Sequence, residues 1–313
     1  MHILITGGTG FIGTHLARRL AKNPEHSIVL LDNLYRCSEE RTGAAESGAE
    51  FVRGDIRDLE LITELVGKAE VVCHLAAQAN VVGAVQDLDY SFSTNVVGTY
   101  NVLRAAERSG GKKVIFASSR EVYGEKQRFP VSEDAALEPK NAYGVSKMAG
   151  EAYCRIFRSA GLPVTIFRLA NVYGPGDRGR VIPIFVERAL RGEPLVLYGG
   201  DQLVDFVWIN TVVDAFERAI HMDALEGPVN IGSGTGVTVR ELANIVIRET
   251  QSSSAISEAP SRSFETRGYV AAVESAAALG LAAATAQPLA HLDSVIRDCR
   301  ARQVEAGAVL ANS

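Results

Sequence analysis

The sequence predicts an α/β protein: a Rossmann-type doubly wound parallel sheet with a smaller, mostly C-terminal α/β substrate-binding part. Three observations carry this. An apolar strand runs into a glycine-rich turn and a helix at the N-terminus, an acidic residue closes the next strand, and apolar strands then alternate with helices as far as residue 168. The first unit is the strand 2–5, HILI, followed by TGGTGFIG and a helix with Leu16, Ala17 and Leu20 on one face. Gly8, Gly10 and Gly13 satisfy G-x-G-x-x-G, and Gly7, Gly10 and Gly13 a variant one residue longer. In either register the missing side chains let backbone N–H groups and the helix N-terminus approach a pyrophosphate. The strand 27–31 ends in Asp32, about 20 residues beyond the last motif glycines, where a carboxylate grips an adenosine ribose and repels a 2′-phosphate. NAD is therefore expected in preference to NADP, and Arg36 is read as surface.

The following elements keep the rhythm. Strand 51–52, a helix near 58–66, strand 71–75, a long helix near 90–109, strand 113–117, a helix from Tyr143 toward 160 and strand 164–168 give a parallel sheet with helices on both faces. Ligands then bind at the strand C-termini. From about Tyr173 the pattern changes to a loop with Pro175, Gly176, Gly179 and Pro183, a helix 184–191 and a short strand 195–198. The expected division is an NAD-binding part over 1–172 and a mainly substrate-binding part over 173–313. Strand 205–209 and helix 212–221 look like returns to the main sheet, so the returns fall near 204–222. Residues 251–260, rich in serine and alanine, read as a loop. The last helix, 289–302, aligns Leu292, Val295, Ile296 and Cys299, and the alanine-rich tail after Glu305 is expected to fray.

Composition fits an enzyme of the cytoplasm. The 313 residues, 47% hydrophobic and 22% charged, can bury a large core. A net charge of -5 supplies no basic patch for nucleic acid or anionic membrane. No apolar run has the length of a membrane span, and the N-terminus opens on a strand rather than a leader pattern. Cys37, Cys73, Cys154 and Cys299 are scattered, with neither metal spacing nor a disulfide framework, and read as reduced packing residues.

The chemistry centres on Tyr143-Gly144-Val145-Ser146-Lys147. Residues four apart share a helix face, so the Lys147 ammonium is expected near the Tyr143 phenol, favouring its deprotonated form and suiting redox chemistry on a carbinol. Bringing a phenol from a pKa of about 10 to near neutrality needs about 4 kcal/mol. One cation at about 4 Å supplies that order at an effective dielectric near 20, and a second positive charge adds to it.

Taken together, these marks resemble an extended short-chain dehydrogenase/reductase of the nucleotide-sugar epimerase and dehydratase family, over nearly the whole chain, and most closely the UDP-glucose 4-epimerases. They are GGTGFIG at 7–13, LDN at 31–33, GDIRD at 54–58, HLAAQ at 74–78, SSREVYG at 118–124, YGVSK at 143–147 and RLANVYGPGD at 168–177. The resemblance implies cofactor contacts from Gly7, Gly10, Phe11, Ile12, Gly13, Asp32 and Asn33. It places Asp55 and Ile56 beside adenine, Leu75, Ala76 and Ala77 along the cofactor path, and Lys147 on the nicotinamide ribose. Ser119 is implied to bind the sugar hydroxyl and Tyr143 to take its proton as the C4 hydride passes to NAD, whose positive ring is the second charge. In an epimerase the 4-keto sugar rotates and the hydride returns to its opposite face. Asn95, inside the long helix, reads as structural.

Departures from the family pattern leave alternatives. Glu121 is a carboxylate also found in family members that dehydrate sugars or decarboxylate uronic acids. Arg120 stands where 4,6-dehydratases carry an Asp, and guanidinium is a poor proton donor. Arg120 and Glu121 read either as an ion pair or, with Arg120 facing the sugar, as a preference for a uronic acid. A non-catalytic NAD sensor would keep the glycine turn without needing Ser119, Tyr143 and Lys147 together. On the substrate side the resemblance implies that Asn171 and Arg262 hold the diphosphate of a UDP-sugar. The Arg that the family often has before the aromatic strand is Val204 here, leaving Arg178 or Arg180 to compensate. Helices near 90–109 and 143–160 are implied to pair in a homodimer.

Overall fold

The computed structural model describes residues 1–36, 47–79, 81–263 and 265–311, with side chains as far as Glu305. Seven strands form one sheet in the order β10-β6-β5-β4-β1-β2-β3: β1 (His2–Thr6), β2 (Ser27–Asp32), β3 (Glu50–Arg53), β4 (Val71–His74), β5 (Lys113–Ser119), β6 (Val164–Leu169) and β10 (Pro228–Ile231). Every neighbouring pair is parallel. Alternation explains why β1 is apolar throughout. Ile3 and Ile5 face one core with helices Phe11–Leu20 and Ile209–His221, while Leu4 faces the other with helices Leu59–Lys68, Thr99–Arg108 and Ala142–Ser159. From β1 the chain winds outward through β2 and β3, then returns to the other side through β4, so the strand order reverses between β1 and β4. A crevice opens there at the strand C-termini.

The expected long helix at 90–109 is interrupted. Leu88–Phe92 leads into a π-helical turn, Ser93–Gly98, before Thr99–Arg108 resumes the α-helix. The Thr99 hydroxyl donates to the Asn95 carbonyl at 2.6 Å, and Gly98 leaves room for Ile56, whose Cδ1 would lie 2.4 Å from any Cβ there. The wide turn carries Asn95 inward, fully buried.

The second half of the chain departs from several expectations. Strand β9 (Leu203–Trp208) does not return to the main sheet. It lies between β11 (Gly236–Thr238), antiparallel, and β13 (Gly268–Tyr269), parallel, and also pairs with β7 (Asn171–Tyr173). The reason is the chain path: β6 continues through Ala170, whose N–H donates to Ile231 O, directly into β7, which carries the pairing edge out of the main sheet. Asp205 then fixes β9 by accepting from the Ser233, Gly234 and Ala271 N–H groups. Only the helix Ile209–His221 returns, and β10, unmarked in the sequence, supplies the seventh main strand. The serine-rich loop contains β12 (Ile256–Ala259), paired in parallel with β8 (Leu195–Tyr198). The helix expected at 184–191 is Val181–Leu190, with Pro183 in its first turn, where its missing N–H costs nothing. The last helix is Leu292–Ala311. A third core of Phe185, Leu195, Leu197, Phe206, Leu242, Val295 and Ile296 holds this half together.

Cys73, Cys154 and Cys299 are buried free thiols, and Cys37 lies outside the described residues. Among the described residues no helix is long and apolar enough to cross a membrane, and no group of three or more His, Cys, Asp or Glu is placed to hold a metal.

Candidate active site

A cleft of about 1780 Å³ opens at the strand C-termini and continues under the smaller sheet. Its inner end is the glycine turn. Gly7 is left-handed (φ 68), and a Cβ there would lie 2.7 Å from Ala76 N. One on Gly13 would lie 2.4 Å from Gly7 O. The turn therefore packs flat against the end of β4, and the helix beginning at Phe11 points its first-turn N–H groups into the cleft. Asp32 ties the two strand ends together: Oδ2 accepts from Thr9 N at 3.2 Å and Oδ1 from Leu34 N at 2.9 Å. Asn33 donates to Asp55 Oδ2 (2.8 Å) and to the Tyr90 hydroxyl (3.1 Å). Burial raises the Asp55 carboxyl, but bonds from Arg57 and Asn33 outweigh it and hold it below its ordinary range. Phe11, Ile12, Ile56, Leu75, Ala76 and Ala77 supply apolar walls. A side-chain-free turn, a helix N-terminus, a carboxylate at the second strand and an apolar slot make a donor set that fits a dinucleotide.

A buried polar chain backs this wall. His74 bridges Thr6 Oγ1 (2.7 Å) and Thr99 Oγ1 (3.0 Å), and burial pushes its pKa down to about 3, leaving the imidazole neutral. Asn95 accepts from Gln78 N at 2.7 Å and donates to Ser146 Oγ at 2.9 Å, and Ser146 donates to Tyr143 O. The inward Asn95 thus orients the Tyr143 helix, which its helical spacing in the sequence did not reveal.

Ser119 ends β5 and faces the Tyr143 hydroxyl, where it favours the ionised phenol. The expectation of a phenol lowered by Lys147 is corrected. In the protein alone burial pushes the Tyr143 phenol up to about 12, against smaller opposing effects from Arg180 and Ser119. Part of the ring stays open to the cleft, so solvent relieves some of that push. The Lys147 Nζ donates to Ala117 O at 2.8 Å and lies 5.9 Å from the Tyr143 ring centroid. Burial lowers its own pKa to about 8. Spacing put the two on one face, but the long stem delivers the ammonium to the β5 carbonyl, on the floor beneath the phenol.

Arg120 and Glu121 form an ion pair, 2.7 Å between Nη2 and Oε1. The other oxygen, Oε2, accepts from Asn141 Nδ2 at 2.8 Å, and Asn141 Oδ1 caps the Tyr143 helix through Gly144 N at 2.9 Å. Arg120 also donates to Asn171 Oδ1 (2.6 Å) and Thr266 Oγ1 (3.1 Å). Asn141 and Thr266 escaped the sequence reading. A cap before YGVSK was a signal that could have found the first, whereas nothing local marks Thr266.

The other expected substrate residues also border the cleft. The Arg178 side chain is exposed at the rim. Arg180 lies deeper, 5.6 Å over the Phe11 ring and 3.4 Å from the buried Asp177, whose carboxyl burial raises to about 6. Arg262 stacks 3.9 Å over Tyr198 and pairs with Glu265 at 3.2 Å. Val204 lines the same corner without a charge.

A doubly wound sheet with this turn and this serine, tyrosine and lysine defines an NAD-dependent enzyme of the Rossmann type. Residues 3–232 match the model of the NAD dependent epimerase/dehydratase family, to which the chain belongs. It is 38% identical over 253 residues, 77% of this chain and 80% of that one, to the UDP-glucose 4-epimerase of Mycolicibacterium smegmatis. It is 36% identical over 277 residues, 85% of each, to the UDP-N-acetyl-alpha-D-glucosaminuronate decarboxylase of Bacillus cytotoxicus. The crystal structure of the Thermotoga maritima UDP-glucose 4-epimerase with UDP-glucose superimposes with a TM-score of 0.90 at 32% identity, covering 97% of this chain and 100% of that one.

Proposed function

We propose that the protein is a nucleotide-sugar 4-epimerase acting on a UDP-hexose or UDP-uronic acid. The observation that carries this reading is the state of Glu121: both oxygens are already held, one by Arg120 and one by Asn141, while Ser119 and Tyr143 both line the cleft wall. Dehydration needs a second proton-transfer pair in addition to the hydride chemistry. A carboxylate locked between a guanidinium and a helix cap is poorly placed to serve in one.

Gly7, Gly10, Phe11, Ile12, Gly13, Asp32, Asn33, Asp55, Ile56 and Leu75 to Ala77 would hold the dinucleotide, and Lys147 its nicotinamide ribose. Bound NAD supplies a hydride acceptor that later returns the hydride, with a positive ring. Tyr143 Oη takes the C4 hydroxyl proton beside Ser119 and gives it back when the ketone is reduced. A phenol held near 12 by burial needs added positive charge before it can act as a base, so its activation is tied to a loaded site. Asn171, Arg178 and Arg262 would hold the diphosphate. The exposed Leu88, Phe92, Val145 and Ile156 on the two neighbouring helices suit pairing with a second copy of the chain.

A decarboxylase is the second reading, favoured by the 36% identity over 85% of each chain to a UDP-N-acetyl-alpha-D-glucosaminuronate decarboxylase. One experiment separates the readings. Purified protein is incubated with UDP-, dTDP- and GDP-hexoses and uronic acids, and products are followed by NMR and mass spectrometry. An equal-mass C4 epimer is expected. Loss of water or of carbon dioxide would replace epimerisation by dehydration or decarboxylation. Tyr143→Phe is expected to lower turnover about 10³-fold with NAD still bound, and unchanged turnover would leave a role in NAD sensing rather than catalysis.

A further inference from the structure

We propose that Arg120 is a positioning residue that fixes which side of the Asn171 amide the ligand meets. The inference rests on the sugar-nucleotide reading for the identity of that ligand, and on geometry for the rest. A guanidinium N–H can only donate, so the Asn171 atom 2.6 Å from Arg120 Nε must be the carbonyl oxygen. Both N–H bonds of Nδ2 are then left for the cleft, whose wall Asn171 forms. A free amide could turn either way and present an acceptor, which would repel an anionic oxygen. Here it presents donors.

The guanidinium is itself held on the other sides. Nη2 meets Glu121 at 2.7 Å, Nη1 donates to Thr266 at 3.1 Å, and the Tyr269 ring centroid lies 6.0 Å from Cζ. Glu121 is held by Asn141, and Asn141 by Gly144 N. Each step allows only one direction of donation. Gly144 must donate to Asn141 Oδ1, which leaves Nδ2 to face Glu121, and Arg120 donates to both Glu121 and Asn171. Arg120 alone therefore fixes the polarity offered to the ligand on β7, while the start of the Tyr143 helix, through Asn141 and Glu121, fixes where the guanidinium stands. Glu121 offsets the charge of Arg120, so this arginine acts through direction rather than as a free cation. Across the corner β9 lines the cleft with Val204 and Phe206, both uncharged, Val204 paired in register with Tyr269. The ligand group suited to two N–H donors here is an anionic oxygen, the phosphoryl oxygen of a nucleoside diphosphate.

The test reads binding rather than turnover, with UDP, dTDP and GDP as probes in titration calorimetry on the NAD-loaded protein. Arg120→Met and Asn171→Ala are each expected to weaken the dissociation constant about tenfold, the loss of roughly one charge-assisted hydrogen bond. The double variant should bind no worse than Asn171→Ala alone. Losses that multiply would overturn the proposal, because independent contacts add. The side-chain N–H resonances of Asn171, assigned by their disappearance in Asn171→Ala, should shift in Arg120→Met. Unchanged resonances would also overturn it. Should Arg120→Met fail to fold, Thr266→Val removes a single clamp and is expected to shift the same resonances. If the native protein binds none of the three nucleotides, the sugar-nucleotide reading fails, and the resonances alone decide the role of Arg120.

Discussion

Two arginine–glutamate pairs brace the Tyr143 helix, and their surroundings differ more than their chemistry. Arg168 and Glu151 meet twice, at 2.9 and 2.7 Å, with both side chains almost wholly buried. Tyr123 and the Glu133 carbonyl take further Arg168 donors, and Ser118 donates to Glu151. Solvent barely reaches either side chain, so the pair staples the helix to β5 and β6. Arg120 and Glu121 meet once and give their other bonds to Asn141, Asn171 and Thr266, around an open cleft. Enclosure converts an ion pair into scaffold. Partial exposure lets the same pair relay orientation from one element to another.

The largest expected effect breaks the enclosed pair. Glu151→Ala leaves Arg168 charged and buried without its partner and should cost about 3–5 kcal/mol in urea unfolding. Glu121→Ala, at the open pair, should cost less stability, since solvent can reach Arg120. Equal losses would show that enclosure makes no difference between the two pairs.

Acid probes a second enclosed group, His74, without a mutation. The folded His74 binds no proton until about pH 3, whereas an unfolded imidazole takes one near 6.5. Below 6.5 the unfolded chain therefore binds more protons, and this contribution to stability is lost progressively as pH falls toward 3. Melting scans across that window should show the decline, and His74→Gln should flatten it.

A smaller effect belongs to the link between the regions. Asn141→Ala removes the helix cap and should cost about 1 kcal/mol. It also frees one Glu121 oxygen, so nucleotide binding should weaken together with thermal stability. The smallest effect is the control: Glu64→Gln, at the exposed pair with Lys68, should leave the unfolding midpoint unmoved.

What the sequence made legible was local. The glycine turn, Asp32 and the Tyr143 to Lys147 spacing each declare themselves within a few residues, because a tight turn, a strand end and a helix face are short-range facts. The destination of β9, the existence of β10 and the pairing of β12 depend on partners far along the chain, and no periodicity encodes an address. The candidate site divides the same way. Ser119 and Tyr143 were visible as a strand end and a helix start, but Thr266 reaches Arg120 across 146 positions. The direction of the phenol shift was hidden as well, since spacing says nothing about how much water burial removes or which carbonyl a lysine will find.

A single alanine joins the two sheets, and it works as a ruler. Leu169 stands beside Ser119 in the parallel register, and Asn171 follows two places later with only Ala170 between. The separation between Ser119 at the end of β5 and the Asn171 amide on β7 is thus measured in extended backbone, about 3.3 Å for each residue. Inserting one residue after Ala170 would lengthen that gauge and turn Asn171 to the opposite side of the strand. Loops on the rim can change freely in length, whereas this junction has no slack.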